Sequence, residues 1–118
     1  MPDFATAFTA KASERILTHN ELVRAIRLNV ADEYEAIQVY TQLAESIDHP
    51  IARAVLLDIA NEEKVHAGEF LRLLSILAPD ESGFYQQGAN EVDTMIASLS
   101  GKVQSKDQKE TTIGSMKE

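Results

Sequence analysis

The chain has no cysteine. That excludes disulfides, thiolate metal sites and thiol catalysis, and it fits a reducing compartment. Proline is scarce at three residues and glycine at five, and most of them fall outside the two long periodic stretches. Helix breakers are therefore missing where apolar periodicity is strongest, which predicts an all-α fold. No run of residues is apolar enough to suggest a membrane span. The start, Met1-Pro2-Asp3-Phe4, lacks a basic segment followed by an apolar core, so no secretory signal is expected and cytoplasmic residence is the default. Basic charge is also short: the net charge is −8, which opposes general binding of nucleic-acid phosphates and suits a protein that gathers cations.

What is present is one domain's worth of sequence, 118 residues with 44% apolar content. Two long stretches carry apolar residues at alternating steps of three and four. In the first, Ile26, Val30, Ile37, Tyr40, Ala44 and Ile47 share a face, and the vacant step between Val30 and Ile37 holds Glu33. In the second, Ala52, Leu56, Ile59, Phe70, Leu73 and Leu77 share a face, and the gap holds Glu63 and His66. An ionised carboxylate is costly to bury unless it is paired or bound to metal. The seam thus contains one Glu from one helix and a Glu-x-x-His pair from the other. That is half the ligand set of a di-iron carboxylate four-helix bundle.

The organisation follows from start and stop signals. Residues 1–18 form a weakly patterned N-terminal arm, and residues 19–100 form the helical domain. The first helix is predicted from Asn20, as N-cap, to about Ser46. Asp48-His49-Pro50 is the turn, with Pro50 at the first position of a second helix that stops before Ala78-Pro79. Each helix of about 27 residues spans roughly 40 Å, and so short a connection makes the two antiparallel. A shorter third helix is predicted from about Phe84 to Leu99, with Val92, Met95, Ile96 and Leu99 on one face and Gly101 as its stop. Residues 101–118 read as a flexible polar linker and a tail.

One chain does not complete this arrangement. A hairpin leaves much of each stripe exposed, which predicts an interface. The bundle-type site wants four carboxylates and two imidazoles, and a two-fold homodimer supplies them by repeating Glu33, Glu63 and His66. The expected fold is therefore an antiparallel two-helix hairpin plus a short C-terminal helix, completed to a four-helix bundle by dimerisation. Four carboxylates against two ferrous ions sum to neutrality, which lowers the penalty of burying either. Glu62 is the alternative partner for His66 at four-residue spacing, though the stripe favours Glu63. His19, His49 and Glu69 lie off the stripe and read as structural or solvent-facing.

These residues resemble the encapsulated ferritins, a branch of the ferritin-like superfamily. Asp32-Glu33-Tyr34-Glu35-Ala36 followed by Tyr40 is similar to the family's first-helix motif. Asn61-Glu62-Glu63-Lys64-Val65-His66-Ala67 is similar to its second-helix motif. Thr112-Ile113-Gly114-Ser115-Met116-Lys117 resembles the tails that direct cargo into encapsulin shells, with Met116 where Leu is commoner. The resemblance implies a ferroxidase that oxidises Fe2+ with O2 at an inter-subunit di-iron site and delivers iron for storage inside an encapsulin nanocompartment. It also implies a ring of dimers, generally a decamer, and an ion-attracting role for Asp32 and Glu35. Tyr40 reads first as a core tyrosine with a satisfied hydroxyl, and its functional alternative is a hydrogen bond to a ligand carboxylate. Relatives can carry Trp before this Tyr, whereas Val39 stands here. The rival readings are a rubrerythrin-like di-metal peroxidase and a non-enzymatic helical adaptor whose seam polar groups fix register.

Overall fold

The computed structural model describes residues 12–106, excepting the side chains of 103–106. Three helices follow one another, α1 (His19–Glu45), α2 (Pro50–Leu77) and α3 (Glu81–Lys106). The described residues contain no strand. The predicted targeting residues Ile113, Gly114, Ser115 and Met116 lie outside the described range. No helix among the described residues is long and apolar enough to cross a membrane.

The first helix begins one residue before Asn20, and its N-cap is Thr18. The reason is a capping box. The Glu21 N–H donates to Thr18 Oγ1 at 3.2 Å, and the Thr18 N–H donates to Glu21 Oε1 at 2.9 Å. Arg15 then donates both guanidinium arms to Glu21, at 2.7 and 2.6 Å. That pair, with the Thr18 N–H, holds the Glu21 carboxyl well below the usual carboxylate range. The helix closes at Ser46, whose N–H reaches the Leu43 carbonyl.

The second helix starts at Pro50 as predicted. Its N-cap is His49, whose Nδ1 accepts from the Ala52 N–H at 3.1 Å. It ends where Ala78 donates to the Leu74 carbonyl and Pro79 follows. His19 Nε2 lies 2.8 Å from the Leu77 carbonyl oxygen, joining the start of α1 to the end of α2. A link between opposite chain ends of the two helices requires an antiparallel hairpin.

The hairpin core is thin. Val23 and Ile26 of α1 pack with Leu74 and Ala78, and Phe70 and Leu77 lean on this group. Further along, Val30 and Ala44 of α1 are buried, and in α2 the buried Ala60 and Ala67 continue to Leu74 at seven-residue intervals. Seven-residue spacing is that of a helix–helix seam, and alanines there let the axes approach closely. Leu73, predicted on the stripe, is instead exposed. The seam of α2 runs through its alanines, and Leu73 lies on the flank beside it.

The chain divides into two compact units between Pro79 and Asp80, so α3 is described by itself. It is longer than predicted and runs through Gly83, Gly88 and Gly101. A helical glycine costs about 1 kcal/mol relative to alanine, and without a proline that is too little to end a helix. Gly101 is therefore not a stop, and residues 101–106 are helical, where a linker was expected. Phe84, Tyr85, Val92, Met95, Ile96 and Leu99 are all exposed along α3.

Candidate metal centre

Glu33 sits midway along α1, three residues after buried Val30. Glu63 sits between buried Ala60 and Ala67 on α2, and His66 lies one turn beyond Glu63. Because both helices hold their neighbours in the seam, all three side chains converge at one level of the hairpin. Each offers one ligand atom, and these atoms lie within 4.8 Å of one another. Exposure rises outward, from 15% for the Glu33 side chain to 20% for Glu63 and 49% for His66. The group therefore lies on the open edge of the seam, with the imidazole outermost.

The spacings suit ligands of one ion, and they also lie within ion-pair range. His66 Nδ1 stands 3.6 Å from Glu63 Oε1 and 3.9 Å from Glu33 Oε2. Both are too long for hydrogen bonds. Two donors each about 2.1 Å from a shared ion stand roughly 3–4 Å apart. Glu33 Oε2 is buried and has no hydrogen-bond partner. A buried carboxylate oxygen without a donor is expensive, and a cation between it and the imidazole would remove that expense.

Without a cation, a proton is the next remedy. The Glu33 carboxyl is pushed up, first because a proton on it can bond the Glu63 carboxylate, then by burial and by the Glu63 charge. Asp32 adds to the rise, and His66 opposes it. Competition between a proton and a divalent ion for one oxygen is typical of carboxylate sites.

An open cavity of about 370 Å³ adjoins the group, lined by Glu33, His66, Glu69, Phe70 and Leu73. Glu62 is exposed and outside the converging group. Asp32 and Glu35 are partly buried next to Glu33 in sequence, and neither joins the three ligands. Tyr40 is partly buried and makes no hydrogen bond to Glu33 or Glu63 within the chain. His19 and His49 serve helix ends. Glu69 is exposed, as its place off the stripe predicts, and it also lines the cavity.

Residues 19–110 match the rubrerythrin family. The ferritin-like–encapsulin shell fusion protein of Pyrococcus furiosus is 40% identical over 75 residues, 64% of this chain and 22% of that protein. The encapsulin nanocompartment cargo protein EncC of Myxococcus xanthus is 32% identical over 77 residues, 65% of this chain and 59% of that protein. The chain thus spans less than two thirds of either relative's length. Among solved structures, the encapsulated ferritin domain from Pyrococcus furiosus superposes with a TM-score of 0.71 at 34% identity. The match covers 78% of this chain and 94% of that domain. An antiparallel hairpin carrying two Glu and one His at ligand spacing, matched along most of its length, places the chain in the rubrerythrin family of ferritin-like proteins.

Proposed function

We propose that this protein is a ferroxidase whose substrate is Fe2+, oxidised by O2 at a centre built by two copies of the chain. The observation that carries the reading is the buried, unpartnered Glu33 oxygen facing Glu63 and His66 at ligand distances. One chain offers two carboxylates and one imidazole; two chains offer the four and two of a di-iron bundle site. The exposed edge on which His66 lies is the edge a second copy would cover.

The residues divide the work by their chemistry. Glu33 and Glu63 supply anionic oxygens, which suit a hard divalent ion, and His66 supplies a neutral nitrogen through Nδ1. Four carboxylates neutralise two Fe2+. Oxidation raises the metal charge by two beyond the four carboxylates, and hydroxide from water would restore neutrality as the ferric product hydrolyses. Each ferrous ion gives one electron, and O2 takes a pair with two protons to leave as hydrogen peroxide. Phe70 and Leu73 form the apolar wall of the cavity.

The relatives named for encapsulin extend the reading. The protein is cargo of an encapsulin shell in the cytoplasm, bound through Ile113, Gly114, Ser115 and Met116, and assembles as a ring of dimers. Deleting residues 112–118 should abolish uptake into a co-expressed shell and leave iron oxidation intact. Retained packaging would refute the targeting role.

The test of the activity is anaerobic Fe2+ titration of the purified protein followed by oxygen. One ion per chain and rapid oxidation are expected, and both should be lost in Glu33→Ala and His66→Ala. The family match also favours a rubrerythrin-like peroxidase, although the chain has no cysteine for a rubredoxin-type donor. Faster iron oxidation by H2O2 than by O2 would favour that reading.

A further inference from the structure

The third helix carries an apolar stripe that serves no part of the metal centre. Tyr85, Gly88, Val92, Met95 and Leu99 follow one another at alternating steps of three and four residues, and Phe84 and Ile96 flank the row. Every large apolar side chain described on α3 is exposed, from 46% for Ile96 to 69% for Phe84. The back of the helix is different. Gln86 donates to Asn90 Oδ1 at 3.0 Å, and Thr94 donates to the Asn90 carbonyl at 3.1 Å. Polar groups there are satisfied within the helix, while the apolar row lies open in a single chain. Alternation of three and four is the 3.5-residue period by which one helix keeps a seam turned toward another.

Charge selects the partner. In sequence, Glu81, Glu91 and Asp93 occupy the first half of α3, and Lys102 and Lys106 stand at its end. That order suits the helix's own dipole. It also makes the helix complementary to itself turned end for end. Antiparallel copies set the acidic half of each along the basic end of the other, whereas parallel copies set like on like. The stripe meets the same condition. In an antiparallel seam the two kinds of position alternate across the pair. Val92 then lies level with the partner's Met95, and Gly88, the smallest position of the row, lies level with the partner's Leu99. The row from Tyr85 to Leu99 is about 21 Å long, and the two-fold axis crosses it between Asp93 and Thr94.

We infer that α3 is a second self-docking surface: two copies of this chain pair through their α3 stripes, antiparallel, apart from the metal centre. The pairing needs only α3 and does not depend on the metal reading. Its consequence for assembly does rest on that reading. A chain with two different self-complementary faces, the hairpin edge at the ligands and the stripe of α3, joins a different partner at each. Copies then alternate the two contacts, and a closed ring leaves no face bare.

Sedimentation equilibrium of the full chain under argon, with a chelator, tests the pairing. The metal-free wild type should dimerise. Leu99→Glu should weaken that dimer at least about ten-fold, with helicity by circular dichroism unchanged. With Co2+ present, the wild type should grow beyond dimers, whereas Leu99→Glu and His66→Ala should each stop at dimers. The absence of cysteine allows a readout of direction. Positions 85 and 102 lie about 25 Å apart along the helix. A short bis-maleimide should therefore join Tyr85→Cys chains to Lys102→Cys chains in a mixture, and should not join Tyr85→Cys chains to each other. A monomeric metal-free wild type, equal dimerisation of Leu99→Glu, or self-linking of Tyr85→Cys would overturn the inference. A wild type that Co2+ leaves dimeric, beside a Leu99→Glu variant that it leaves monomeric, would overturn the shared metal centre and leave the α3 pairing standing.

Discussion

Glu33 carries a conflict between stability and chemistry. Its oxygen is buried and unpartnered, and its carboxyl is pushed up by Glu63 and by burial. A group with a raised folded-state value favours the fold when protonated. That contribution is complete below the ordinary carboxylate value of about 4.3 and is lost as pH rises through the raised value. The metal-free protein should therefore weaken as pH climbs out of the acid range. Glu33→Gln places an amide that can donate to Glu63, so the apo protein should gain about 1 kcal/mol at neutral pH and lose this slope. The same variant should take up no Fe2+. Urea unfolding from pH 4 to 8, with and without metal, measures both effects, and an apo protein made weaker by the substitution would contradict the conflict. The residue was legible in the sequence because a charge inside an apolar stripe breaks a pattern that burial otherwise enforces. Glu69 was not, because its position on the wheel is that of a solvent-facing residue; only the fold shows a cavity there.

Helix ends and glycines set what could be read at the level of elements. The first N-cap was placed on Asn20, a good capping residue, although Thr18-x-x-Glu21 is the capping-box pattern and stands two residues earlier. Thr18→Ala should cost about 1 kcal/mol, since it removes the Oγ1 that accepts from the Glu21 N–H and leaves only the Thr18 N–H half of the capping box. His49 caps α2 with a ring nitrogen, and no acid occupies the first turn of that helix. An Asp at an N-cap accepts more strongly and suits the helix dipole, so His49→Asp should add about 0.5–1 kcal/mol. The third helix outruns the predicted Phe84–Leu99 because a glycine's penalty is small and local and does not stop a helix. A methyl group at Gly88 would meet nothing within 4 Å. Gly88→Ala should therefore raise helicity and add up to about 1 kcal/mol to α3, read by circular dichroism through thermal unfolding. The α2 stripe predicts a seam of large apolar residues, whereas the seam runs through Ala60 and Ala67. Alanine carries little hydropathic signal, yet close helix approach selects it.

At the scale of the whole molecule, the apolar surface exceeds the core. Eight apolar residues are buried, and none of the side chains is fully enclosed, whereas twenty large apolar side chains are exposed among the described residues. Such an excess is what the proposed second copy would cover. The antiparallel hairpin was legible because a short turn between two long periodic stretches admits little else. The completed bundle is a proposal, since symmetry leaves no trace in one chain beyond the half set of ligands and the bare edge beside them. Metal and assembly should then be linked. An ion held by donors from two copies binds the dimer and not the monomer, so it favours association by mass action. At a free concentration one hundred times its dissociation constant, each ion contributes about 2.7 kcal/mol, and two contribute roughly 5 kcal/mol. That lowers the dimer dissociation constant by about four decades. Sedimentation equilibrium under argon should show tight dimers, or higher assemblies built of them, with Co2+ or Fe2+ present. Metal should leave the assembly state of His66→Ala unaltered. If the wild type associates equally well with and without the ion, the ligands belong to single chains and the shared centre is lost, whatever iron the protein still binds.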